Sequence, residues 1–85
     1  MYAPLEIELY KRIIMSAECA SLEITASMAI HCGVLMTHRR KPFGLWRAVD
    51  QRLCFEGLPD GDMRVAAADA EEALAACLAM VRARS

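Results

Sequence analysis

Eighty-five residues with a formal net charge of −1 leave room for one domain, over residues 1–85, and exclude two. A chain this short buries only about 60–65% of the surface its unfolded form exposes. Its hydrophobic share of 56% stands above the ~45–50% usual for soluble domains, so the surplus apolar surface is expected to hide against a second copy or a partner.

The first predicted element is a helix over residues 4–20. Pro4 suits the first helical position, where its missing N–H is not needed. Glu6 and Glu8 lie near the positive end of the helix dipole. Leu5, Leu9 and Ile13 form one apolar row, and Ile7, Tyr10 and Ile14 form a second beside it. Two rows on one helix predict cover on two sides, so Leu5, Leu9, Tyr10 and Ile13 are the residues expected to carry self-association.

The segment 21–33 reads two ways. Leu22, Ile24, Ala26, Met28 and Ile30 alternate with Ser21, Glu23, Thr25, Ser27 and Ala29, which is the strand period. Its Ala, Met and Leu content favours helix, and Gly33 suits a helix stop. Helix is the reading adopted. The uncharged run 24–36 spans roughly 20 Å as a helix, short of the ~30 Å hydrocarbon core. Extending it backwards takes in Glu23 and Glu18, so no membrane span is expected.

Residues 38–47 hold Arg39, Arg40, Lys41 and Arg47 without an acid, between acidic flanks. Ala29, Gly33 and Val34 fit the turn of a helix-turn-helix, which would make 37–41 a short recognition helix. Against this stand the unbroken polar run from His38 to Lys41, the stop at Pro42 and the acidic flanks. The segment is therefore read as a connector, with Arg39, Arg40, Phe43 and Trp46 as the partner-binding set, since Arg and Trp are enriched in interface hot spots.

Residues 44–56 are expected to be a helix with Leu45, Trp46, Val49 and Leu53 on one face, ended by Gly57 as its C′ residue and by Pro59. A turn follows over 59–62. The last helix, 69–84, opens on Asp69 as N-cap with Glu72 three residues on, carries Glu71 and Glu72 in its first turn, and packs through Leu74, Leu78 and Val81.

The expected fold is thus mostly α, a small dimeric domain of three or four helices over 4–20, 21–33, 44–56 and 69–84. The alternative is α+β, with strands at 21–31 and 62–67. Cysteines at 19, 32, 54 and 77 have no zinc-type spacing, and six residues separate His31 from His38, so neither a metal nor a cofactor is expected. Adjacent His31 and Cys32 point in different directions on helix or strand, and no catalytic signature occurs, which argues against an enzyme. Glu6, Glu8, Lys11 and Arg12 interrupt any signal-peptide apolar run, so four free thiols in the cytoplasm are expected. The functional expectation is a small non-catalytic regulator or adaptor that binds another protein, masks a surface of it, and works as a homodimer. The alternative is a DNA-binding transcriptional regulator using residues 37–41.

Overall fold

The computed structural model describes residues 2–58, 61 and 63–84, with the side chain of Arg84 left aside. Two helical segments open the chain, α1 (Pro4–Ile14) and α2 (Ala17–Ser21). Five strands follow, β1 (Ile24–Met28), β2 (Val34–His38), β3 (Lys41–Val49), β4 (Arg52–Gly57) and β5 (Arg64–Ala67), and α3 (Ala70–Arg84) closes the chain. The strands form one antiparallel sheet in the order β1-β2-β3-β4-β5. The domain is therefore α+β, which overturns the mostly helical expectation.

Each correction has a local cause. The helix expected over 4–20 breaks at Met15, and Ser16 starts α2 by accepting a hydrogen bond from the Cys19 amide at 3.1 Å. In 21–33 the alternation decides: Ile24 is buried, Thr25 and Ser27 are exposed, and Ala26 and Met28 are half-buried. The helix expected over 44–56 is a hairpin turning at Asp50 and Gln51, with φ of 50° and 65°. Its apparent helical row mixed two sheet faces, since Trp46 and Leu53 point into the core while Leu45 and Val49 occupy the opposite face. Gly57 accordingly ends a strand rather than a helix. Pro59 and most of the turn expected at 59–62 lie outside the described residues. Only α3 follows its expected span, with Asp69 Oδ1 accepting from the Glu72 amide at 2.9 Å.

Both long helices cover the same face of the sheet. Leu9 and Ile13 from α1 meet Val34, Met36, Trp46, Leu53 and Phe55 from the strands and Ala73, Cys77 and Val81 from α3. Trp46 sits at the centre, fully buried. Its ring lies 5.1 Å from Phe55, and its Nε1–H donates to Cys77 Sγ at 3.0 Å. That bond gives the indole a partner in a layer otherwise apolar. A register shift between Met36 and Thr37 leaves Phe43 extra in β3, and its buried ring stands 6.0 Å from Phe55. Gly44, next to it, lies under Phe55: a Cβ there would come within 1.9 Å of the ring.

β3 outruns β2, whose last pairing at that end is Val34 with Trp46. Glu6 fills the gap. One carboxylate oxygen accepts the Ala48 amide at 2.9 Å and the other accepts the Ala3 amide at 3.1 Å, tying the start of α1 to the end of β3 that extends past β2. Burial alone pushes this carboxyl up, but backbone donors at Ala48, Ala3 and Gly33 outweigh it and hold the group below its ordinary value of 4.5. Glu6 is the buried charged residue of the described core, and its bonds are to backbone rather than to a ligand.

Candidate functional site: the open face of the sheet

Helices cover one face of the sheet, and no described residue covers the other. The register builds that open face row by row. Ser27, Leu35, Leu45, Glu56 and Arg64 lie side by side across all five strands. Arg47, Cys54 and Ala66 form the next row, and Val49 faces Arg52 beyond it. Leu35, Leu45 and Cys54 are half-buried and Val49 is 48% exposed. The result is an apolar strip in a shallow depression of about 380 Å³, lined by Leu45, Arg47, Val49, Cys54, Glu56 and Arg64 among others.

Charge is sorted between the two sides of the domain. On the helical side Arg82 pairs with Glu18 at 2.7 Å and Arg12 with Glu8 at 4.0 Å, while Asp69, Glu71 and Glu72 are exposed with Lys11 as the remaining described cation. On the sheet side Arg47, Arg52 and Arg64 have no ion pair among the described residues, with Glu56 as the acid between them. A chain of net charge −1 therefore presents a cationic, apolar-centred sheet face and an acidic helical back.

The residues singled out from the sequence fall in different places. Arg39 and Arg40 are exposed at the two-residue turn joining β2 to β3, with φ of 52° and 71°, the type I′ pattern of tight hairpins. The segment 37–41 is thus a hairpin end, and the recognition helix considered for it does not form. Arg39 is held by Glu23, whose carboxylate lies 3.1 Å from its Nε and whose carbonyl accepts its amide. Arg40 and Lys41 have no ion pair among the described residues. Phe43 and Trp46 are 6% and 0% exposed, so the aromatic half of the expected partner-binding set belongs to the core. Of the self-association set, Leu9 and Ile13 are closed inside the same core, and Leu5 and Tyr10 are half-buried against it. Of the second row of α1, Ile7 and Ile14 stay at the surface.

Histidine and cysteine chemistry is dispersed. His31 and Cys32 are exposed in the loop before β2, and His38 lies at its far end. No group of three His, Cys, Asp or Glu among the described residues is placed to hold a metal. Cys19 and Cys77 are buried. Burial pushes the Cys77 thiol up to about 12, with the Trp46 hydrogen bond acting weakly in the other direction, so it stays a protonated packing group. No described helix is long and apolar enough to cross a membrane.

Arg47, Arg52, Arg64, Leu45 and Val49 were not singled out for binding. Their signal was the strand period across 44–56, which places Leu45, Arg47 and Val49 on one face once the Asp50–Gln51 turn is recognised. Comparison with protein-family models, with curated proteins and with solved structures finds no match.

Proposed function

We propose that this domain is a non-catalytic protein-binding module, an adaptor or regulator that covers a surface of its target, and that the open sheet face is where the target sits. The occupant that fits is an extended acidic segment carrying apolar side chains. Leu35, Leu45, Val49 and Cys54 offer the apolar strip, and Arg47, Arg52 and Arg64, which have no ion pair among the described residues, offer cations around it. The observation that carries this reading is the sorting of charge. Arginines around a half-exposed apolar centre favour both anchoring and electrostatic steering of an anionic partner. The cytoplasm, where the four free thiols stay reduced, is part of the same proposal.

Nucleic acid is a weaker fit to the same cations. A sheet that binds single strands stacks bases on aromatic side chains, yet Phe43, Trp46 and Phe55 all face the core.

A photo-crosslinking residue at Leu45, compared with one at Glu71 on α3, tests the proposal in the native cell. The expected result is a discrete protein adduct at Leu45 that disappears in the Arg47→Glu/Arg64→Glu variant and is absent from Glu71. The purified adduct partner should then bind the domain directly, with affinity falling as salt rises. Adducts that ignore the arginines, or recovery of nucleic acid in place of protein, would contradict it.

A further inference from the structure

The geometry points to the free edge of β1 as a pairing site for a second copy of this chain, giving a two-fold dimer with one sheet running through both subunits. The Arg39 amide donates to the Glu23 carbonyl, and the Ala29 amide donates to the Gly33 carbonyl, each at 3.0 Å. In an antiparallel ladder hydrogen-bonded pairs alternate with non-bonded ones. Thr25 with Thr37 and Ser27 with Leu35 therefore share the bonded phase of Glu23 and Ala29. Ile24, Ala26 and Met28 fall in the other phase, so their amides and carbonyls point away from β2 to the free edge.

That edge is undefended. Sheets guard free edges with charge, proline, bulges or very short strands. Ile24–Met28 carries no charge, no proline and no bulge, and pairs evenly with β2 throughout. The opposite edge, β5, is shorter and carries Arg64.

The outward groups also match themselves. A two-fold axis through Ala26 sets Ile24 against Met28 of the second copy, Ala26 against Ala26, and Met28 against Ile24. The outward amides and carbonyls of all three have no hydrogen-bond partner among the described residues, so each pair exchanges two backbone hydrogen bonds. The side chains agree with the register. Ile24, Ala26 and Met28 meet on the core side, the smallest of them on the axis, while Thr25 meets Ser27 on the exposed side. A one-residue slip would set bonded-phase residues of one copy against free-edge residues of the other and break every new bond. Such self-matching favours a second copy over a foreign strand. A five-residue contact is small beside the ~1,200–2,000 Å² of a standard interface, so the dimer is expected to dissociate on dilution.

A charge-swap pair and an exchange measurement test the dimer. Thr25→Lys/Ser27→Lys sets lysine against lysine twice across the axis; Thr25→Lys/Ser27→Glu sets lysine against glutamate twice. Both positions are exposed, and both variants lose the same Thr25–Thr37 hydroxyl contact. Wild type should sediment as a dimer at ~100 μM, the lysine pair should raise the dissociation constant about tenfold or more, and the mixed pair should keep it near wild type. In wild type the amides of Ile24, Ala26 and Met28 should gain hydrogen-exchange protection as concentration rises, while those of Thr25 and Ser27, already bonded to β2, should not change. The exchange readout stands even where a variant fails to fold. A monomer at ~100 μM, equal effects of the two charge patterns, or new protection on α1 or the open face instead would overturn the inference.

Discussion

Replacing Glu6 by glutamine removes one charge and almost no volume, and it isolates what the buried carboxylate does. The two carboxylate oxygens accept amides from Ala48 and Ala3. Glutamine supplies one acceptor and turns an NH₂ group toward the other amide, leaving a buried donor facing a donor. Hydrogen bonds to a charged group contribute about 1.5–3 kcal/mol, and an unsatisfied buried donor costs ~1–3 kcal/mol. A loss of about 2–3 kcal/mol at pH 7 follows, a large part of a small domain's stability. The folded carboxyl sits below 4.5. Its contribution is therefore complete above that value and is lost as pH falls through the folded one. Urea denaturation of both proteins from pH 7 to pH 3 reads this directly: the gap should be widest at pH 7 and close toward pH 3, with the variant's own curve flatter over that window. Equal midpoints at pH 7, or a gap that ignores pH, would refute the reasoning.

Gly44→Ala should destabilise by about 1–3 kcal/mol, because the new methyl meets the Phe55 ring and forces it off its packing position; an unchanged urea midpoint would show that the ring moves freely. Arg39→Asn/Arg40→Gly should stabilise by about 1–2 kcal/mol, since both positions have positive φ and Asn-Gly relieves a backbone cost that exceeds the exposed Glu23 ion pair. A lower melting temperature in that variant would mean that the arginines support the hairpin.

Much of the end of the fold is legible in the sequence and much of its middle is not, for physical reasons. Asp69, Glu72 and the row ending at Val81 announce α3 because capping and helical period agree there. Between Ile24 and Gly57 the signals conflict. Both tight turns, Arg39–Arg40 and Asp50–Gln51, adopt positive φ without glycine or asparagine, so the residues that usually mark a hairpin are missing. With the turns hidden, β3 and β4 run together, and Leu45, Trp46, Val49 and Leu53 imitate one helix face. Tertiary pairing overrides the propensities of Ala26 and Met28 in β1 in the same way. The same hidden turns obscure the site. Arg39 and Arg40 were visible as a basic run, but the arginines of the open face come from three strands and meet only once the sheet is assembled.

The claim that the open face takes an acidic, apolar partner is tested most directly by amide chemical-shift mapping of the labelled domain against a synthetic peptide that alternates glutamate with leucine. The perturbed amides should cluster at Leu45, Arg47, Val49, Cys54 and Arg64 and should fade as salt is raised. Shifts gathered on α1 or α3, or none at millimolar peptide, would contradict it.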